Sequence, residues 1–103
     1  MIHTRIMTRL SAVLITVFVL GCATSPPVQE MSDARQAIAA AEDADAVTLA
    51  PTPLGDARRY LSQAETQIRN RSFSLARTNA IRAKSSALDA LQVSQAAGQS
   101  ADN

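Results

Sequence analysis

Cys22 is the residue whose side chain is best suited to covalent chemistry. It is the only cysteine among 103 residues, so no intramolecular disulfide is available to it. A cysteine thiolate is a strong nucleophile, and its small neighbour Gly21 permits close approach to the backbone here. The alternative is a buried structural cysteine or a free exported thiol. The residues that precede Cys22 indicate which chemistry to expect.

A cationic start and an apolar run precede this cysteine. Residues 1–9 carry Arg5 and Arg9 and no acidic residue, and residues 10–20 read LSAVLITVFVL. This pattern predicts a secretory signal peptide. A transmembrane anchor is the alternative, but it needs about 20 apolar residues. Only 14 residues run from Leu10 to Ala23 before the polar Thr24, so the pattern favours the signal peptide.

The residues around the cysteine, Val19-Leu20-Gly21-Cys22, closely resemble the bacterial lipobox. The resemblance implies that a diacylglyceryl group alkylates the thiol of Cys22. It also implies that lipoprotein signal peptidase cuts the chain between Gly21 and Cys22. Residues 1–21 are therefore expected to be a signal peptide, and residues 22–27 a lipidated tether.

The modified Cys22 is expected to hold the protein on a bacterial membrane. Two or more acyl chains anchor a protein stably, whereas one chain binds only marginally. Many lipoproteins that stay in the inner membrane have aspartate after the cysteine, and this sequence has Ala23. This resembles the outer-membrane pattern, so the expected location is the periplasmic face of the outer membrane.

Beyond Cys22 the sequence contains no set of residues typical of an active site. His3 is the sole histidine and would leave with the signal peptide, so a Ser/His/Asp arrangement lacks its base. Glu42, Asp43 and Asp45 could suggest a metal site. However, adjacent helical residues point in different directions, and a calcium loop needs a longer pattern containing glycine. We therefore expect a non-enzymatic protein without a metal or cofactor.

Charge is segregated along the mature chain. Residues 22–57 carry six acidic residues against Arg35, and residues 58–84 carry seven basic residues against Glu65. Two explanations remain open. The acidic first helix could pack against the basic hairpin, or both could be solvated faces. Alternatively, the basic residues could contact an anionic envelope partner such as lipid headgroups, lipopolysaccharide, peptidoglycan or an acidic protein. This candidate surface comprises Arg58, Arg59, Arg69, Arg71, Arg77, Arg82 and Lys84.

Nucleic acid is not an expected partner. Without the signal peptide, eight basic residues face nine acidic ones, a formal charge of about −1. The basic segment also lacks the interleaved aromatic residues on which bases stack.

The spacing of alanine and leucine residues predicts an all-α fold with a two- to three-helix antiparallel hairpin or bundle over residues 28–97. A first helix begins between residues 28 and 33, with Ser25 or Ser32 as cap, and runs to about residue 47. A second spans residues 54–70, with Thr52 as cap. After a turn at residues 70–72, a third helix begins with Ser72 as cap, and its apolar pattern ends near Gln95. Residues 98–103 are expected to form a disordered tail after Gly98.

Each predicted helix has one apolar stripe with alternating spacings of three and four residues. The short turn makes the second and third helices antiparallel neighbours, and alanine lets their backbones approach closely. The stripe of the first helix comprises Ala34, Ala37, Ala41, Ala44 and Thr48, with Ile38 beside them. The second comprises Leu54, Ala57, Leu61, Ala64 and Ile68. The third comprises Phe73, Ala76, Ala80, Ala83, Ala87, Ala90 and Ser94.

Several features of residues 28–94 match one known pattern: an alanine-rich first helix, the Ala50-Pro51 break, Leu54-Gly55-Asp56-Ala57, and Phe73-Ser74-Leu75-Ala76 leading into Ala80 and Ala83. On these residues the chain resembles the bacterial family called domain of unknown function 4398. Members are typically small lipoproteins, or modules ahead of a peptidoglycan-binding domain. The chain has no C-terminal lysine, so covalent attachment to peptidoglycan is not expected.

Two functions are compatible with these features. The first is a membrane-anchored, non-enzymatic interaction module of the cell envelope, whose partner is an envelope protein or an anionic envelope polymer. The second is a structural lipoprotein that self-associates as a helical bundle, which would make it a homo-oligomer.

Overall fold

The computed structural model describes residues 25–103, which form four helices and no strand. They are α1 (Val28–Asp43), α2 (Ala46–Leu49), α3 (Pro51–Arg69) and α4 (Phe73–Asp102). The prediction of a small all-α bundle is confirmed. The predicted signal peptide, the lipobox residues with Cys22, and the first part of the tether lie outside the described residues.

The three long helices form an up-down-up bundle. α3 and α4 form an antiparallel hairpin and share the most extensive interface, followed by that of α1 with α4. Ion pairs define the direction of α1. Arg35 and Glu42 of α1 pair with Glu65 and Arg58 of α3, so these two helices are antiparallel. α1 therefore runs parallel to α4.

The alanine stripe of α4 forms the centre of the bundle. Ala76, Ala80, Ala83, Ala87 and Ala90 are all fully buried, as the spacing predicts. Only Phe73, at the start of this stripe, is half-buried. Because alanine side chains are short, the three helix backbones come close together. The helices are therefore held by close packing of many small groups.

The larger apolar side chains fill two clusters along the bundle axis. Near the hairpin turn, Met31 of α1 packs with Ala64 of α3 and Ala80 of α4, and the half-buried Ile68 packs against them. A larger cluster occupies the other end and contains Leu54, the largest fully buried side chain. Its other members are Ala37, Ile38, Ala41, Ala46, Ala50, Ala57, Ala87 and Ala90.

The end of α1 differs from the predicted continuous helix to residue 47. α1 ends at Asp43, and Asp45 adopts a left-handed conformation with φ 63° before α2 begins. Aspartate tolerates this conformation better than most residues. The turn changes which residues face the core. Ala46 is buried, whereas Ala44 is half-buried and Thr48 is exposed.

The predicted cap of the second helix is also wrong. α3 begins at Pro51 with Ala50 in the N-cap position, so Thr52 lies inside the first turn. Proline suits a first turn because it has no N–H group to leave unpaired. The backbone before it cannot continue the preceding helix easily, so the Ala50-Pro51 break falls where it is expected.

Of the other predicted caps, Ser72 is correct in position only, and those of the first helix are wrong. Pro27, rather than Ser25 or Ser32, occupies the N-cap position of α1. Ser72 does precede α4, but its hydroxyl makes no capping hydrogen bond. Its carbonyl oxygen accepts the Ala76 N–H at 3.0 Å. In the described residues, no helix start has a side-chain capping hydrogen bond.

The predicted disordered tail over residues 98–103 is helical as far as Asp102. Gly98 does not end the helix, since it does not adopt a positive φ. Its neighbours include Ala96, Ala97 and Ala101, which are strong helix formers. The last buried residue of α4 is Ser94, so the segment after it extends past the core.

No helix among residues 25–103 is both long and apolar enough to span a bilayer.

Candidate functional site

The seven basic residues of the hairpin do not form one free surface. Three of them pair with acidic residues of α1. Arg58 Nη2 lies 3.0 Å from Glu42 Oε1, Arg77 Nε lies 3.0 Å from Glu30 Oε1, and Lys84 Nζ lies 3.8 Å from Asp33 Oδ2. The segregated charges of the sequence are therefore in part paired within the molecule. This is the first of the two explanations that the sequence left open.

Arg77 makes the most enclosed of these pairs. Its side chain is 34% exposed and that of Glu30 is 30% exposed. Its Nη2 also donates to the backbone carbonyl oxygen of Ser25 at 3.3 Å. Arg77 therefore joins three parts of the chain: α4, the first turn of α1, and the segment that leads back to Cys22.

The remaining ion pairs add little rigidity. Arg35 and Glu65 lie 3.5 Å apart, and Arg59 pairs with Asp56 within α3 at 3.0 Å. Arg59 also lies over the Tyr60 ring, 5.1 Å from its centroid. Exposed pairs of this kind typically contribute about 0–1 kcal/mol each. Of these two pairs only Arg35–Glu65 joins α1 to the hairpin, and burial of the alanine faces stabilises that packing.

Three of the predicted basic residues have no acidic partner in the described part of the chain. Arg69 donates to the Thr66 hydroxyl of its own helix at 3.0 Å. Arg71 lies in the turn between α3 and α4 with a left-handed φ of 59° and is exposed. Arg82 is exposed on α4, about 14 Å along the axis from Phe73 at 1.5 Å per residue. Arg69 and Arg71 thus share the hairpin end, and Arg82 lies apart from them.

Acidic residues without an ion pair in residues 25–103 lie toward the opposite end. Asp43 ends α1 and Asp45 forms the turn into α2. Asp89 lies on α4 between Ala87 and Ala90, which belong to the same core cluster as Ala46 of α2. Glu42 pairs with Arg58, so Glu42, Asp43 and Asp45 do not converge on one site. Among the described residues, no three side chains of His, Cys, Asp or Glu are placed to hold a metal ion.

Two buried polar side chains were not anticipated from the sequence. Asn79 is 7% exposed and donates from Nδ2 to Gln67 Oε1 at 2.9 Å, which joins α4 to α3. Ser94 is 2% exposed, and its Oγ has no partner within the described residues. Ser94 falls on the alanine stripe, so its burial could be read from spacing. The pairing of Asn79 could not, since it depends on the register of the hairpin.

One of the comparisons with known proteins gives a match. The family model described as domain of unknown function (DUF4398) matches residues 29–103, which covers α1 to α4 except the first residue of α1. No curated protein and no solved structure matches the chain. Because the matched segment spans well over half of the sequence, the chain belongs to the DUF4398 family.

Proposed function

We propose that this protein is a lipid-anchored, non-enzymatic interaction module of the bacterial cell envelope. The observation that carries the proposal is the Leu20-Gly21-Cys22 motif, at the end of an apolar run and directly ahead of a helical bundle. The first buried residue of the bundle, Pro27, follows Cys22 by five positions. An acylated cysteine at this position would hold the bundle close to a membrane surface.

The outer membrane, on its periplasmic face, is the location we propose. The support is Ala23, which stands where many inner-membrane lipoproteins have aspartate.

A non-enzymatic role is consistent with the side chains that the bundle carries. Residues 25–103 contain neither histidine nor cysteine, so they offer no imidazole for general-base catalysis and no thiol nucleophile. Most of the buried positions among residues 25–103 are alanine. Side chains this short leave the helices packed directly against one another.

Mass spectrometry tests the anchor. The full chain is expressed in a diderm bacterium and the mature N-terminal peptide is analysed after membrane fractionation. We expect an N-terminus at Cys22 that carries at least a diacylglyceryl group, with the protein in the outer-membrane fraction. Cys22→Ser should leave the chain unlipidated and uncut. In a matched control, Cys22→Ser with Thr24→Cys keeps one thiol but moves it out of the motif, and it should also stay unlipidated. A wild-type chain with an unmodified start at Met1 would refute the proposal.

Self-association is a second candidate, favoured by one observation. Ile81 and Leu88 are 54% and 45% exposed and lie seven residues apart on α4, hence on one face. The single chain already buries its alanine stripe, so this exposed apolar pair is the contact that we propose for self-association. Sedimentation of the protein over a range of concentrations distinguishes the two candidates.

A further inference from the structure

The chain enters the bundle at the hairpin end. Ser25 lies beside Arg77, which is one turn into α4 and therefore close to the turn at residues 70–72. Cys22 precedes Ser25 by three residues, and three residues span at most about 10 Å. If Cys22 is acylated, the hairpin end is thus the part of the bundle nearest to the membrane.

The same end carries uncompensated positive charge. Arg69 and Arg71 have no acidic partner among the described residues and are exposed. α1 and α4 both begin here and α3 ends here, so two positive ends of helix dipoles face one negative end. Asp43 and Asp45 lie at the far end of α1. The bundle is therefore electrically polarised along its axis, with the positive end beside the anchor.

Exposed apolar side chains accompany these cations. Val28, the first residue of α1, is 72% exposed, and Leu75, in the first turn of α4, is 59% exposed. Apolar groups among basic residues are typical of surfaces that sit in the headgroup region of a bilayer.

We propose that the hairpin end, defined by Arg69, Arg71, Val28 and Leu75, docks on the anionic phospholipid headgroups of the bilayer into which Cys22 is inserted. This inference rests on the proposed lipid anchor. The arginines supply the attraction to phosphate, and the anchor keeps them within reach of it. The acidic end with Asp43 and Asp45 then points away from the membrane, which fixes the orientation of the bundle.

We expect anionic lipid to shift the equilibrium between undocked and docked bundles on one membrane toward the docked state. One basic residue near an anionic surface favours binding about fivefold, so two should favour docking on the order of 25-fold. High salt should remove the effect, since the Debye length falls to about 3 Å at 1 M.

A site-specific label measures this shift. The lipidated full-length product is reconstituted into phosphatidylcholine vesicles with or without phosphatidylglycerol. Because Cys22 is the only native cysteine and its thiol would be acylated, Asn70→Cys provides a single labelling site in the exposed turn. Quenching of a dye there by a headgroup-attached quencher reports docking. Thr48→Cys provides the reference label on α2 at the opposite end.

We expect quenching at position 70 to rise with phosphatidylglycerol and at position 48 to stay unchanged. The variant Arg69→Gln with Arg71→Asn should abolish the rise; asparagine is chosen because it tolerates the left-handed φ of this turn. The matched control Arg82→Gln removes a similarly unpaired cation from the side of α4 and should leave the rise intact.

The outcomes separate the two proposals. Two results on a lipidated protein would overturn the docking inference alone. One is quenching at position 70 that does not change with phosphatidylglycerol. The other is a rise in quenching that Arg82→Gln reduces as much as Arg69→Gln with Arg71→Asn does. A protein that intact mass shows to carry no lipid before reconstitution overturns the proposed anchor and this inference with it.

Discussion

Arg77 on α4 donates from Nε to Oε1 of Glu30 on α1 across 3.0 Å, the most enclosed ion pair in the bundle. The same guanidinium reaches the carbonyl oxygen of Ser25. One side chain thus aligns α1 with α4 and fixes the place where the chain from Cys22 meets the folded bundle.

Loss of the Arg77 pair should weaken the bundle measurably. For Arg77→Gln we expect a decrease of about 1 kcal/mol in the free energy of unfolding, near the upper end for partly exposed pairs. The matched control is Arg59→Gln, which removes a pair confined to α3 and should cost less. Chemical denaturation measures both. A double-mutant cycle of Arg77→Gln with Glu30→Gln that shows no coupling energy would contradict this role.

The alanine stripe of α4 should tolerate no enlargement. Ala83 is fully buried on the stripe of α4, so Ala83→Leu must displace the groups packed against it, at a cost of about 1–3 kcal/mol or more. The control Ala39→Leu makes the same change at an exposed position of α1 and should be nearly neutral. Thermal unfolding of both variants tests the difference. Equal stabilities would mean that close packing at the stripe does not hold the bundle.

Periodicity alone predicted this stripe because its burial repeats with the turn of the helix. Ala76, Ala80 and Ala83 recur at spacings of four and three, and only one face of a helix can satisfy that pattern. The short segment 70–72 then leaves few ways to connect two helices other than an antiparallel hairpin. The fold class, the hairpin and the buried alanines could therefore be predicted from the sequence.

The identity of the ion pairs could not be predicted in this way. Arg71 and Arg77 are close in sequence and chemically identical, yet only Arg77 has an acidic partner in the described residues. The difference depends on how α1 lies across the hairpin, which is set by packing at Met31 and Ile38 rather than by local sequence. The turn at Asp45 had no marker such as glycine or proline, so the interruption of the first helix was also missed.

Ser94→Ala should stabilise the protein. The buried Ser94 Oγ has no hydrogen-bond partner in the described residues, and an unsatisfied buried hydroxyl costs about 1–3 kcal/mol. Alanine removes this cost and fits the same space. Ser85→Ala, at an exposed position of α4, measures the gain from helix propensity alone, about 0.5 kcal/mol. A stabilisation by Ser94→Ala no larger than that of Ser85→Ala in denaturant unfolding would show that the hydroxyl is satisfied in solution.

Two glycines should respond differently to replacement by alanine. Neither Gly55 nor Gly98 adopts a positive φ, and an added Cβ at either position meets no atom within 4 Å. Gly55→Ala should raise global stability by about 0.5–1 kcal/mol, because α3 forms only when the bundle folds. Gly98 lies beyond the last buried residue of α4, so its replacement should strengthen the terminal turns alone. Hydrogen exchange should then slow near position 98 while the denaturation midpoint stays constant. A raised midpoint for Gly98→Ala would mean that the end of α4 unfolds together with the core.

The apolar pair Ile81 and Leu88 provides the test of self-association. Both side chains are about half exposed on one face of α4, and two such residues bury little area when helices of two molecules meet. Stable interfaces usually bury about 1,200 Å² or more, so we expect a monomer at micromolar concentration in sedimentation equilibrium. If a dimer forms instead, Ile81→Gln with Leu88→Gln should dissociate it, because the glutamines would be desolvated at its centre. The control Leu75→Gln changes an exposed apolar residue elsewhere on α4 and should not affect the mass. A dimer that persists in the double variant would place the contact on another face of the bundle.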